Sequence, residues 1–152
     1  MKTVEESKKT ITICTSASFF EQALAIEKSL KAFGFGVKLP CTALKMKKSG
    51  NFDVSVYKTW SRNEKDYARK CWLIKNHFRK IVRSDAILVL NYAKKEFAGY
   101  IGGNTLMEMC IAFHYGKPIY ILNPIDGGLS YKEEVLGMQP IFLNGDLGRI
   151  SH

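Results

Sequence analysis

The chain has 152 residues, 46% of them hydrophobic and 24% charged, with a formal net charge of +9. That length suits a single domain over residues 1–152 with a substantial core, and these proportions exclude a globally disordered chain. No apolar run approaches the ~20 residues of a membrane helix, and Met1 to Lys9 carry charge without a secretory h-region, so a cytoplasmic protein is expected.

The elements follow in chain order. Thr10 to Thr15 (TITICT) is β-branched and predicts a first strand, closing in the loop Ser16-Ala17-Ser18. Phe19 to Phe33 has a helical pattern that Gly34 stops. Phe35 to Leu39 reads as a second strand ended by Pro40, and Lys45 to Tyr57, with Gly50-Asn51 inside it, reads as a loop. Between Lys58 and Arg83, Tyr67, Cys71, Ile74, Phe78 and Ile81 recur every three or four residues, the stripe of an amphipathic helix. Ala86 to Leu90 (AILVL) does not alternate, as befits a central parallel strand covered on both faces. A glycine-bearing loop, Asn91 to Gly103, leads to a helix from Asn104 to Tyr115 with Asn104 as its expected N-cap. Ile119 to Leu122 and Ile141 to Leu143 complete five strands, and residues 1–9 and 147–152 are expected to be flexible tails.

Strands alternating with helices predict an α/β fold, a parallel five-stranded sheet with helices on both faces. Ligands of such sheets bind beyond the carboxyl ends of the strands, which makes the loops after the first and third strands the expected walls of a site. Cys14, Cys41, Cys71 and Cys110 are scattered, without a Cys-x-x-Cys pair or an adjoining His. Buried thiols in a reducing compartment, and no metal or organic cofactor, are expected. The positive charge of Lys58 to Arg83 reads as a solvated helix face, because no nucleic-acid-binding motif accompanies it; a phosphorylated small molecule would be attracted equally.

The helix Asn104 to Tyr115 (NTLMEMCIAFHY) is apolar nearly all round and should be largely buried, with Glu108 its one charged side chain. A buried carboxylate without a partner is costly, so a chemical role competes with a salt bridge or an outlet to solvent. Gly102 and Gly103 allow close backbone approach, and free N–H groups at the helix start could hold a phosphate or sugar oxygen. Neither a phosphate-binding Walker loop nor a dinucleotide-binding Gly-x-Gly-x-x-Gly is present. Asn91, at the end of the central strand, bonds a sugar hydroxyl or caps its loop. Ser16 and Ser18 lie in a loop after a strand, where serine is common, and His77 is a border histidine or a ligand contact. Asp85, before its strand, and His114, late in its helix, read as structural.

Ser84-Asp85-Ala86 opening a hydrophobic strand, then a glycine loop and Glu108-x-x-x-Ala112-x-x-x-Gly116-Lys117-Pro118-Ile119, resembles the nucleoside 2-deoxyribosyltransferase family, with its related deoxynucleoside monophosphate N-glycosidases. The resemblance spans about Thr10 to Pro124. It implies a three-layer flavodoxin-like (Rossmann-like) fold, a homodimer or higher homo-oligomer, and a nucleoside or nucleotide substrate. Glu108 would be the nucleophile at C1′, with Asn91, Gly102, Gly103 and Asn104 shaping the sugar or phosphate site and Ser16 and Ser18 where the related glycosidases hold a phosphate. Asn144 and Asp146 would reach a neighbouring subunit's site, or form an ordinary turn. The family pattern has Asp where this chain has His77, an acid or a small hydroxyl residue where it has Gly102, and Tyr where it has Cys14. These departures leave a non-catalytic nucleotide-sensing module as an alternative. A third reading is a phosphoribohydrolase, from the partial likeness of Ile101 to Glu108 to that signature.

Overall fold

Five short runs of mostly β-branched and aliphatic residues form one sheet in the computed structural model, which describes residues 7–152. They are β1 (Thr10–Thr15), β2 (Gly36–Lys38), β3 (Ala86–Leu90), β4 (Ile119–Ile121) and β5 (Ile141–Phe142). All neighbours pair in parallel, in the order β2-β1-β3-β4-β5. The helices are α1 (Phe20–Ala32), α2 (Cys41–Ser49), α3 (Val54–Tyr57), α4 (Tyr67–Val82), α5 (Gly103–His114) and α6 (Lys132–Gly137). One face of the sheet packs Ile11, Ile13, Leu88 and Leu90 against Phe20, Ala23 and Leu30 of α1 and Ala43 and Met46 of α2. The other packs Cys14, Ile87, Val89 and Ile121 against Ile81 of α4, Met109 and Ala112 of α5 and Val135 of α6. This is the three-layer, flavodoxin-like arrangement. No helix among the described residues is long and apolar enough to cross a membrane.

Several elements differ from the sequence expectations. Lys45 to Tyr57 is not a loop. Its first part belongs to α2, whose Ala43 and Met46 lie one turn apart and are both buried, and Gly50 ends that helix at φ 72° with its N–H on the Met46 carbonyl at 2.8 Å. The rest holds the single turn α3, capped by Asp53 accepting from the Ser55 N–H. In α4 the buried residues are His77 and Ile81, while Tyr67 and Cys71 are exposed. The front of that helix has no sheet to lie on, so periodicity overstated its stripe.

In α5 the N-cap is Gly102 rather than Asn104, and the Leu106 N–H reaches the Gly102 carbonyl at 3.0 Å. The helix buries Thr105, Met109 and Ala112 but exposes Met107 and Phe113, because an outer-layer helix meets the sheet on one side only. Of the four thiols only Cys14 is fully buried; Cys71 and Cys110 are exposed. The C-terminal residues are packed rather than loose: Ile150 is buried, and the His152 ring stacks on Phe35 at 4.5 Å. Of the expected N-terminal tail, residues 1–6 lie outside the described residues.

Candidate functional site

Alternation along β1 sends Ile11 and Ile13 to the α1 layer and Thr12 and Cys14 to the α4–α5 layer. On α4 the four-residue spacing of His77 and Ile81 turns both inward, and on α5 Glu108 shares the buried side with Thr105, Met109 and Ala112. Three polar side chains from three elements therefore meet, with the Cys14 Sγ, a His77 ring nitrogen and a Glu108 carboxylate oxygen all within 4.8 Å of one another. His77 Nε2 lies 3.0 Å from the Ile13 carbonyl, 3.7 Å from Cys14 Sγ and 3.8 Å from Glu108 Oε2. A carbonyl only accepts, so the first contact assigns the proton to Nε2. The other two are too long for strong hydrogen bonds. His77 Nδ1 and Glu108 Oε2 are buried without a hydrogen-bond partner among the described residues.

The electrostatics follow from that burial. Desolvation pushes the Glu108 carboxyl up to about 8, against the smaller downward pulls of the Cys14 thiol and the Lys70 ammonium. Desolvation, with Lys80 adding to it, holds the His77 imidazole down at about 4, so the ring is neutral. Burial, reinforced by Glu108, raises the Cys14 thiol well above its ordinary range. The trio offers sulfur, nitrogen and oxygen donors, the set a zinc ion accepts. A metal, however, needs a thiolate, a carboxylate and a bare imidazole nitrogen. Here burial favours the protonated thiol and carboxyl and Nε2 faces the Ile13 carbonyl, so an ion entering the trio would have to displace those protons.

Glu108 keeps 15% side-chain exposure where it borders a cavity of about 270 Å³. That cavity lies beyond the carboxyl ends of β1 and β3, where the strand order reverses. Thr15 to Ser18 form one wall, Tyr100 and Gly102 to Thr105 a second, and Leu73, Ile74 and His77 of α4 a third. Tyr57 at the end of α3, Lys58 and Trp60 just after it, and Pro40 to Thr42, at the start of α2, complete it.

Of the residues expected at the site, Glu108, His77, Ser16, Ser18, Gly102, Gly103 and Asn104 all line this cavity. Asn91 does not. It is fully buried, its Nδ2 donating to the Asn123 carbonyl at 2.7 Å and its Oδ1 accepting the Asn123 N–H at 2.8 Å. Its carboxamide is spent tying the loop after β3 to the one after β4. Asn144, in a turn at φ 50°, and Asp146, which accepts the Gly148 N–H, lie after β5 and outside the cavity walls. Asp85 accepts the Thr10 N–H at the amino end of the sheet, a structural role.

Sequence reasoning missed Lys58, Lys70 and Lys94, which also line the cavity. Lys70 lies seven residues before His77, on the same face of α4, and Lys94 follows β3 into the crevice loop. Lys58 and Lys70 were hidden in a segment whose charge read as a solvated face, and Lys94 in a loop read for its glycines. Comparison of the sequence with protein-family models finds no match, and comparison with curated proteins finds none.

Proposed function

We propose that this protein cleaves or transfers at the N-glycosidic bond of a (deoxy)nucleoside or its 5′-monophosphate, with Glu108 as nucleophile, in the manner of the nucleoside deoxyribosyltransferases its sequence resembles. The observation that carries the reading is the buried, unpartnered Oε2 of Glu108 at the border of a nucleoside-sized cavity. A carboxylate oxygen attacks C1′, the C1′–N bond breaks with its electron pair going to the base, and the base leaves with a proton taken from water. Water, or a second base, then opens the glycosyl ester and frees Glu108. Ser16, Ser18 and the backbone N–H groups at the start of α5 stand ready for sugar or phosphate oxygens. The His77 Nε2 proton on the Ile13 carbonyl fixes the ring beside the carboxyl.

The test is chromatography of a nucleoside and nucleotide panel after incubation. Free base should form with the native protein and fall by at least about 10³-fold in Glu108→Ala, as for loss of a covalent nucleophile. Undiminished release in that variant removes Glu108 from the chemistry.

A second reading, a nucleotide-sensing module without turnover, is favoured by one observation. Among the described residues Glu108 is the only carboxyl of the cavity walls, so none of them offers a second acid to protonate the leaving base. Thermal stabilisation by a nucleotide with no base released would select it.

A further inference from the structure

Lys58, Lys70 and Lys94 converge on the cavity described above, and none of them makes an ion pair among the described residues. Two of the three ammonium groups are held in place by aromatic rings and not by carboxylates. Lys70 Nζ stands 5.0 Å from the centre of the Trp60 ring, and Lys94 Nζ stands 4.9 Å from that of Tyr100. Lys94 Nζ also lies 3.5 Å from the Ser16 Oγ. The three come from separate places, the segment after α3, the first half of α4 and the loop after β3, so the fold gathers them.

Such a gathering is unfavourable in the free protein. Desolvation lowers the Lys70 ammonium, and the positive charge of Lys58 lowers it further. Desolvation, then Lys58 and Lys95, do the same to Lys94. Glu108, the one acid on the cavity wall among the described residues, opposes this only in part, as the smallest of the three effects on Lys70. Three ammonium groups against a single carboxyl, among the described residues lining a concave site, is an excess of positive charge that attracts an anionic ligand.

We infer that the cavity takes a nucleoside 5′-di- or triphosphate, its phosphate chain lying across Lys58, Lys70 and Lys94 at the rim and its nucleoside inside. A monophosphate carries at most about −2, which leaves one of three ammonium groups unmatched, whereas a longer chain matches all of them. The enclosed volume of about 270 Å³ is near the low end for small-molecule sites, so it holds a nucleoside and leaves a phosphate chain at the opening. The inference rests on the preceding reading for the nucleoside half of the ligand only.

The experiment is titration calorimetry with deoxyadenosine and thymidine, their mono-, di- and triphosphates, and inorganic tripolyphosphate alone, without divalent cations. The affinity of the triphosphates should exceed that of the monophosphates by at least about tenfold, one charge-assisted contact, and that advantage should shrink with added salt. In a Lys58→Gln, Lys70→Gln, Lys94→Gln variant of unchanged melting temperature the advantage should vanish. Tripolyphosphate binding as tightly as the nucleotides would make the site one for inorganic polyphosphate and overturn the nucleotide assignment. Equal affinity across the phosphate series, no binding at all, or an advantage that survives the triple substitution overturns the inference. Binding graded by phosphate number without base release ends the catalytic reading and leaves this one standing; base release indifferent to phosphate does the reverse.

Discussion

Between pH 6.5 and 8 the Glu108 carboxyl is protonated in the folded chain, where burial holds it at about 8, and ionised in the unfolded one, where it titrates near 4.5. The folded state binds the extra proton, so stability falls as pH rises through this window, by up to ~1.4 kcal/mol per pH unit. His77 acts oppositely but lower down. Its imidazole, ordinarily near 6.5, is held at about 4, so its contribution is complete above 6.5 and is lost as pH falls toward 4. Denaturant midpoints measured from pH 6.5 to 8 should therefore drop in the native protein and drop less in Glu108→Gln; equal slopes would show that the carboxyl is not held protonated. If Glu108 is the nucleophile, its ionised fraction also limits the free enzyme. The pH profile of kcat/KM should climb to a plateau above about 8, and a flat profile through neutrality would contradict that role.

At the scale of elements, the wall carrying Tyr100 to Thr105 is held by a clamp between the loops after β3 and β4. Asn91 bridges them through the Asn123 backbone, and Gly99, at φ 67°, crosses so close that a Cβ there would stand 2.0 Å from the Pro124 carbonyl oxygen. Gly99→Ala should destabilise by more than ~1 kcal/mol, since both the backbone angle and the space refuse a side chain. Asn91→Ala, which orphans half-buried groups of the Asn123 backbone, should cost ~1–3 kcal/mol. Gly103→Ala is the contrast: it lies in α5 with nothing within 4 Å of its added Cβ, and the change should leave stability equal or higher. Urea denaturation of the three variants decides; an undisturbed Gly99→Ala would refute the clamp. Much of this level was legible beforehand. β3 announced itself by five consecutive apolar residues, and Gly34 marked the end of α1. The clamp was not, because an asparagine at a strand end reads equally as a ligand contact or as a bracket, and only the approach of Asn123 distinguishes them. Nor was α2, whose inward Ala43 and Met46 are too few to raise a periodic signal among lysines.

Across the whole molecule the two faces of the sheet are covered differently. Helices α4, α5 and α6 cover one, while α1 and α2 cover part of the other and leave its far end to the chain after β5. There Leu143 and Ile150 are buried, Leu147 packs beside them, and the Ser151 N–H approaches the Tyr120 hydroxyl at 3.4 Å. Deleting residues 147–152 removes Ile150 and uncovers Phe35, so the midpoint of chemical denaturation should fall by the equivalent of ~2–4 kcal/mol. An unchanged midpoint would restore the view of these residues as a tail.

The order of β-branched runs and helical repeats determined the α/β class by itself, since parallel strands must be hydrophobic on both faces and must be joined by crossovers. The lone acid in an apolar helix marked Glu108 for the same reason: ionised carboxylates avoid such surroundings unless used. The neighbours of that acid were decided only by tertiary structure. Cys14, His77 and the three lysines come to it from distant points of the chain, and local pattern carries no record of which faces the sheet will bring together.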